Sequence, residues 1–482
     1  MMKRYLKGYL TIYVSLCMCV MISLCLVLIE GARRSTIRLE GEIVTDIGIE
    51  SVLAEYHREL LNQYNLFYVD SSYGGVEPSY NNVENRLKYY LDKNTVYGEE
   101  LKLDFLYRDF LGMEFQDVQV EKVSLATDNN GYGLARQAIE AVKDDIGVSY
   151  LEGVWELIQK VEADGLLDGN LEKQKNEVEK QLQSYEDKEI PLSEKEWTTF
   201  DVVSPTKIVD NMQAKGILWW VIPKEQGISA QTIRLSQYVS SRMSMGNLNQ
   251  GNGERQHKLE IMERLLFQEY LLRYTGRYGE EKEKGLLSYQ TEYLVEGEAS
   301  DEKNLSGVAG KICGIRQVAN TAYLLANPEK MELAKGAATL LAAALLVPEA
   351  EPVIEGAIVL AWAYLESVYD TKALLSGGRI PLIKSDQSWH YDLESIWQEP
   401  QNGAVQGQSE GMTYEDYLRV FLFLQNQETL IARFMDVVEM DIRLTDGNES
   451  FRLDGCLDYV GMSAVIHSAY GYDFEIKRER GY

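Results

Sequence analysis

Cysteine and histidine are scarce in this sequence, and their scarcity excludes several kinds of site. The 482 residues include five cysteines and four histidines. Cys17, Cys19 and Cys25 lie within one uncharged N-terminal run, so only Cys313 and Cys456 remain for the rest of the chain. Two cysteines cannot form a disulfide-rich scaffold or a cysteine metal cluster. We predict two isolated buried thiols, with a disulfide between them as the alternative.

Recognisable catalytic motifs are also lacking. No two histidines have the i,i+4 spacing of a zinc-peptidase helix, and there is no Gly-x-Ser-x-Gly turn. His390 and Asp392 could begin a metal site, but an exposed loop histidine is the simpler interpretation. No loop has the ligand spacing of a calcium site, and carboxylates are too numerous for spacing to select a general acid. We therefore predict no enzymatic activity, no cofactor and no metal site.

Basic charge is the third deficit. Lysine and arginine number 48 against 75 acidic residues, which gives a net charge of −27. Binding to nucleic acid depends on clustered Lys and Arg that neutralise phosphates, so this composition argues against nucleic acid as a partner. The hydrophobic fraction of 45% is that of a folded protein rather than of a disordered tail.

One long hydrophobic run contrasts with this acidic background. Residues 9–29 carry no charge, and Lys3, Arg4 and Lys7 precede them. A helix of this length crosses a hydrocarbon core of about 30 Å. A cleaved signal peptide is the alternative. However, the apolar region of a signal peptide is shorter than residues 9–29, and Glu30 disrupts the nearest candidate cleavage site. We predict a single-pass signal anchor in the cell membrane. Residues 1–8 are expected inside and the body outside, because so much of the chain follows the span.

The helix is predicted to continue beyond the membrane. Between residues 32 and 67 there is no proline, and Gly48 is a weak point rather than a break. Apolar residues recur there at the spacing of one helix face: Ile37, Ile43, Ile47, Leu53, Tyr56, Leu60, Tyr64 and Phe67. Residues 30–68 are therefore predicted to form a helical stalk that packs against neighbouring copies or a globular head.

The patterns beyond the stalk predict an α+β body that is mostly helical. Residues 115–126 suggest a strand, and residues 472–477 alternate between apolar and polar side chains as a half-buried strand does. These segments predict a small sheet that includes C-terminal strands. We divide the body into a first α+β part, residues 69–190, and a second, mostly helical part, residues 191–482.

Three further segments of the body have specific interpretations. Residues 336–347 and 353–364 are apolar but each too short to span a membrane comfortably, so they predict a packed helical hairpin. A membrane-inserted hairpin is the alternative. Residues 413–440 are predicted to be strongly helical, residues 186–191 to be a linker, and residues 236–256 to be a loop.

The N-terminal segment resembles a known family. The motif Lys7-Gly-Tyr-Leu-Thr-Ile-Tyr-Val-Ser-Leu16, followed by Leu28-Ile-Glu-Gly-Ala-Arg33, is similar to the start of TadE/TadG-like proteins of tight-adherence (Flp) pilus systems. In those proteins a basic start and a glycine precede an apolar helix that closes on a Glu–small–Arg pattern. The rest resembles uncharacterised membrane-anchored proteins of Gram-positive bacteria, on stretches such as 51–61, 380–384 and 414–422.

The resemblance implies a minor pilin-like or assembly component of a tight-adherence-type pilus or secretion system. Its partners would be the membrane and other pilin-like or assembly proteins. In such proteins a peptidase cuts after the glycine that follows the basic start, here Gly8, although Tyr13 stands where main-type pilins carry glutamate.

A polar strip on the span could face a partner helix, because small residues allow close packing in membranes. It comprises Thr11, Ser15 and Ser23, with Glu30, Gly31 and Ala32 at the outer end. The alternative is that these residues simply face lipid.

Two other functional classes remain. A surface-binding or structural protein that recognises a cell-wall polymer or host ligand is favoured by the 31 tyrosines, provided that they cluster in an exposed groove. An anchored enzyme of unrecognised type would require a pocket that joins His390 or His467 to several carboxylates.

Overall fold

The computed structural model describes residues 5–95, 112–163, 170–185, 189–191, 197–199, 204–223, 227–242, 258–398, 400, 405 and 407–482. Helix predominates, at 62%, and the sheet is small and antiparallel. This confirms the predicted α+β class with C-terminal strands. The basic residues Lys3 and Arg4 and most of the predicted loop 236–256 lie outside the described residues.

The elements are numbered in chain order. The helices are α1 (Tyr5–Leu53), α2 (Arg58–Tyr64), α3 (Tyr80–Thr95), α4 (Tyr132–Glu140), α5 (Val148–Ala163), α6 (Asn170–Gln183), α7 (Lys207–Lys215), α8 (Ile217–Val221), α9 (Ile261–Tyr274), α10 (Gln290–Glu296), α11 (Asp301–Ala326), α12 (Pro328–Ala344), α13 (Glu351–Leu375), α14 (Tyr414–Leu424) and α15 (Gln427–Arg443). The strands are β1 (Val69–Asp70), β2 (Met113–Leu125), β3 (Glu189–Pro191), β4 (Trp197–Thr199), β5 (Cys456–Ser468) and β6 (Asp473–Gly481).

The chain divides into two compact units, and the first unit combines both ends of the sequence. It comprises Met1–Gln137, Met243–His257 and Thr445–Tyr482, whereas the second comprises Ala138–Arg242 and Lys258–Leu444. The domain limits expected from the sequence stay a prediction.

The first unit is built on a sheet whose central strand is β5. Strands β1, β2 and β6 all pair with β5 in antiparallel orientation. The long pairing of β2 with β5 runs from Met113 opposite Ser468 to Leu125 opposite Leu457. The predicted strand at 115–126 is therefore confirmed, and its partner lies more than 300 residues away in sequence.

The second half of α1 packs on this sheet together with α3. Its buried face repeats at helical spacing and includes two glycines: Ile37, Gly41, Val44, Thr45, Gly48, Ile49 and Val52. A Cβ on Gly41 would clash with Ile466 of β5, and one on Gly48 would lie 2.8 Å from Leu91 of α3. The glycines allow close approach of α1 to its neighbours, which explains why Gly48 does not break the helix.

Two features of the predicted stalk are wrong. Ile43 and Ile47, assigned to the apolar face, are 44% and 40% exposed because the buried face is centred on the glycines. The helix also ends at Leu53 rather than continuing to residue 67. The chain turns there, and His57 then caps α2 by accepting a hydrogen bond from the Leu60 N–H.

The second unit is helical, and its central element is the almost fully buried helix α13. Helix α12 precedes it as the other arm of a hairpin, and Ala334, Ala338 and Ala342 form the buried stripe of α12. The predicted packed hairpin is confirmed. Helix α11 also packs against α13.

The segment 413–440 is helical as predicted. It forms two helices, because Asn426 accepts hydrogen bonds from the Glu428 and Thr429 N–H groups and starts α15 anew. One expectation for this unit is wrong. Part of the expected linker is a strand: β3 pairs with β4 from Glu189 opposite Thr199 to Pro191 opposite Trp197.

Candidate functional site: the N-terminal helix and its surroundings

The two halves of helix α1 differ in burial: the first is exposed, whereas one face of the second is packed on the sheet. Its first half presents large apolar side chains to the outside, such as Leu10 at 64% and Val27 at 68% exposure. Its most apolar 18-residue window has a mean hydropathy of 2.8. Within the part of the chain that the structure describes, α1 is the one helix long and apolar enough to cross a membrane.

The residues predicted for helix packing lie on α1 as a continuous stripe. Thr11, Ser15 and Ser23 are separated by multiples of four, and Cys19 fills the gap between Ser15 and Ser23. Because a helix turns about 100° per residue, residues four apart share a face. We call Thr11, Ser15, Cys19 and Ser23 the small-residue stripe. Thr11, Ser15 and Cys19 also line a shallow groove with Ile12 and Leu16.

Inside the stripe, the Ser23 hydroxyl donates to the Cys19 carbonyl at 2.8 Å, so its proton is used within the helix. Gly8 lies within α1. Gly31 leaves open space, since an added Cβ would meet nothing within 4 Å. Cys19 is missing from the strip predicted from the sequence, because cysteine was considered there as a disulfide-forming or metal-binding residue and not as a small residue.

The end of the uncharged run meets the turn between β5 and β6. Tyr472 donates its phenol proton to Glu30, and this hydrogen bond raises the pKa of Tyr472. Arg33 pairs with Glu30 at 2.9 Å and lies 4.0 Å from the centroid of the Tyr470 ring. Arg34 lies 5.7 Å from the ring of Tyr472. Glu30, predicted as a helix-packing residue, is thus engaged by the chain itself.

Ion pairs continue along α1 and β6. Arg478 donates to Asp46 at 2.8 Å and lies 3.4 Å from Glu42. At the far end the Tyr482 hydroxyl donates to the Leu53 carbonyl. Helix α1 from residue 30 to 53 and the segment from residue 472 to 482 therefore run side by side in the same direction.

A buried quartet of charges lies in the second unit. Its members are Arg316, Glu366, Asp370 and Lys384, all with fully buried charged groups or nearly so. Arg316 pairs with Asp370 at 3.0 Å, and Lys384 pairs with Asp370 at 2.6 Å and with Glu366. Two cations balance two carboxylates, so each charge is compensated within the quartet.

The quartet holds the segment that follows α13. The Arg316 guanidinium donates to the Leu382 carbonyl at 2.9 Å. Glu366 accepts from the N–H groups of His390 and Tyr391, each at 2.9 Å. Burial raises the pKa of Glu366. The quartet thus positions the loop that follows α13, and its charged groups pair with one another.

Buried carboxylates also line α15. Asp436 accepts from the Ser240 N–H and the Tyr293 hydroxyl at 2.8 Å, and Asp441 pairs with Lys282 at 2.9 Å. Burial raises the pKa of Asp436. These acids tie α15 to helix α10 and to preceding loops of the same unit.

Glu292 on α10 is a buried carboxyl held by neutral donors. The Tyr414 hydroxyl donates to it at 2.6 Å and the Tyr278 N–H at 2.8 Å. Its other oxygen is buried without a hydrogen-bond partner. Burial raises the pKa of Glu292 to about 7.

Among the described residues, neither His390 nor His467 lies in a group of several carboxylates. The His390 ring stacks on Tyr369 at a centroid distance of 3.9 Å. His467 contacts Asp473 at 2.7 Å on the exposed hairpin. The described residues contain no group of three or more His, Cys, Asp or Glu that could hold a metal ion. Cys313 and Cys456 are both free and buried, which confirms two isolated thiols, and burial raises the pKa of Cys313 to about 12.

Some of the tyrosines in the described part of the chain serve the core. The largest fully buried side chains include Tyr64, Tyr68, Tyr270, Tyr289, Tyr293 and Tyr417. One open depression contains a tyrosine with polar neighbours: Tyr323 and Asn327 both donate to Asp386, at 2.5 and 2.9 Å. The polar groups of this depression are thus hydrogen-bonded to one another.

Comparison with known families gives one match. The model of DUF5702, a family of unknown function, matches residues 195–468, which is more than half of the chain. The chain belongs to the DUF5702 family. Comparisons with curated proteins and with solved structures gave no match.

The DUF5702 segment contains all three sets of buried charged groups described above. The quartet, Glu292 and the acids of α15 all lie inside it, and it ends with the last residue of β5. Helix α1 and the hairpin residues after Ser468 lie outside it. Helix α1 is therefore not part of the family segment, although its second half packs on β5, which is part of it.

Proposed function

We propose that this DUF5702 protein is a membrane-anchored minor pilin-like or assembly component of a tight-adherence-type pilus or secretion system. Helix α1 would be a retained signal anchor, with the N-terminus inside and the body outside the cell. The proposal joins the resemblance of the Lys7–Arg33 motifs to the properties of α1.

One observation carries the proposal most directly. The exposed apolar half of α1 continues without a break into the half that packs on the sheet. A rigid connection of this kind couples contacts made in the membrane to the position of the first unit, which is useful in an assembly component. Van der Waals packing of small residues drives helix association in membranes, and the small-residue stripe offers such a surface.

The surface-binding alternative has less support. It needs the tyrosines to cluster in an exposed groove, and the six tyrosines named above are fully buried instead. The depression around Tyr323 has its Asp386 carboxylate occupied by Tyr323 and Asn327. The prediction that the protein is not an enzyme, and holds no cofactor, stays a prediction.

The proposal is tested by mild crosslinking in cells, followed by capture of the tagged full-length protein from native membranes. We expect a tight-adherence pilin, its platform protein or its ATPase among the captured proteins. A Val20→Arg variant serves as control, because a charge at the centre of the span opposes insertion by about 3 kcal/mol. It should lose these partners.

Recovery of cell-wall material or unrelated surface proteins alone would overturn the pilus assignment, provided that the crosslinker captures a known complex in the same cells. That result would favour the surface-binding alternative.

A further inference from the structure

The turn between β5 and β6 lies beside the point where the uncharged run of α1 ends. We call residues 469–472 the hairpin tip. Tyr472 bonds Glu30, the first charged residue after the run, and Tyr470 is 43% exposed. Gly471 has φ +80°, which allows the chain to reverse tightly at this place.

The direction of β6 fixes which end of the sheet is close to the run. From residue 30 to 53, α1 rises about 35 Å. From residue 472 to 482, β6 rises about 33 Å. Paired contacts at both ends, Tyr472 with Glu30 and Tyr482 with Leu53, show that the two elements advance together. The hairpin tip is therefore at the apolar end of α1, and Tyr482 is a full strand length away from it.

The chemistry at this end suits the surface of a bilayer. Tyrosine is enriched where membranes meet water, since its ring is apolar and its hydroxyl is polar. Arginine beside the hydrocarbon extends to the headgroup level, where its guanidinium binds phosphate. Arg34 is exposed, and no carboxylate partner of Arg34 is found among the described residues. Arg33, in contrast, is paired with Glu30.

We propose that the hairpin tip and Arg34 contact the phospholipid headgroups of the bilayer that α1 crosses. This contact rests on the proposed anchoring by α1 and adds a second attachment to it. One helix alone leaves rotation and tilt of the first unit free. A tip embedded at the interface would hold the sheet upright, with β6 along the membrane normal.

The contact is tested with the full-length protein in vesicles of phosphatidylglycerol and phosphatidylcholine. The photoreactive residue p-benzoylphenylalanine replaces Tyr470 in one variant and Tyr482 in the other. Tyr482 is the matched control, because it is 37% exposed and follows the opposite end of the same strand. We expect at least tenfold more phospholipid adduct, measured by mass spectrometry, at position 470 than at position 482.

A third variant with the photoreactive residue at Leu24 separates two kinds of failure. Lipid adducts at position 24 but none above the 482 level at position 470 would overturn the contact while leaving the anchor intact. An absence of adducts at position 24 would overturn the anchor and the contact together.

The part played by Arg34 is tested in the variant labelled at position 470. Arg34→Gln should lower adduct formation with phosphatidylglycerol several-fold. Arg38→Gln is the matched control, because Arg38 already pairs with Glu42 at 3.1 Å, and should change it little. Equal effects of both substitutions would exclude a specific headgroup contact by Arg34.

Discussion

Glu292 illustrates how burial alone can make one residue sensitive to pH. It lies fully buried with only neutral donors near its charged form, and its pKa is raised to about 7. The unfolded chain would titrate it near 4.5. Between these pH values the folded state binds the proton and the unfolded state releases it. The stabilisation is therefore complete below pH 4.5 and is lost as the pH rises through 7.

We predict that Glu292→Gln removes this dependence. The wild-type protein should lose on the order of 3 kcal/mol more stability than the variant between pH 4.5 and 8. The measurement is urea unfolding of the full-length protein in mild detergent at both pH values. Asp436 and Glu366 also have raised pKa values, but both are present in each protein and cancel in the difference.

Glu332 provides the control for this experiment, since it is an exposed residue on α12. Glu332→Gln should leave the pH dependence of stability unchanged. Parallel pH profiles for the wild type and Glu292→Gln would mean that Glu292 is ionised in the folded state.

At the scale of single elements, sequence patterns predicted those structures that local spacing determines. The uncharged run, strand β2 and the α12–α13 hairpin all have local signatures. The end of α1 was not predictable, because the turn after Leu53 depends on a backbone hydrogen bond from His57 to Tyr68. Its buried face was missed in part because glycines count as weak helix formers, while close packing requires them at 41 and 48.

The buried charge systems have no local signature. Asp436 accepts a hydrogen bond from Ser240, which is 196 residues away in sequence, and Lys282 donates to Asp441, which is 159 residues away. In a chain with 75 acidic residues, composition gives no means of telling these carboxylates from exposed ones. Only the packing of distant segments selects them.

The small-residue stripe on the apolar half of α1 leads to a prediction about contact between copies of this helix. If the small-residue stripe faces another copy of α1, Cys19 should approach its counterpart in that copy. Cys17 lies about 160° away from Cys19 around the helix, on the side opposite the stripe, and is a natural control. We predict that a variant retaining Cys19 alone forms a disulfide dimer in membranes under mild oxidation.

A variant retaining only Cys17 should dimerise at least fivefold less, as measured on non-reducing gels. Equal dimer yields at Cys17 and Cys19 would indicate random collision and remove the stripe as an interface between copies. Ser15→Leu in the Cys19 variant should lower the yield, because a bulky side chain prevents close approach of helices.

At the scale of the whole molecule, both ends of the chain contribute to the unit that contains α1. Val118 pairs opposite Ala464, so the sheet closes only after the C-terminal strands are available. Pairing over such a distance is slow to form. The apolar half of α1 does not depend on this pairing, because its large apolar side chains are exposed rather than packed on the sheet.

Orientation is the remaining question at this scale, and we predict that the N-terminus is inside and both units are outside. Long segments are translocated largely regardless of their charge, which fits a body that follows a single span. Cysteine would be introduced at Lys3 or at exposed Glu449, in a chain whose native cysteines are replaced. A membrane-impermeant maleimide should label position 449 in intact protoplasts, and position 3 only after permeabilisation. Labelling with the opposite pattern would place the body in the cytoplasm, where it could not reach an extracellular pilus.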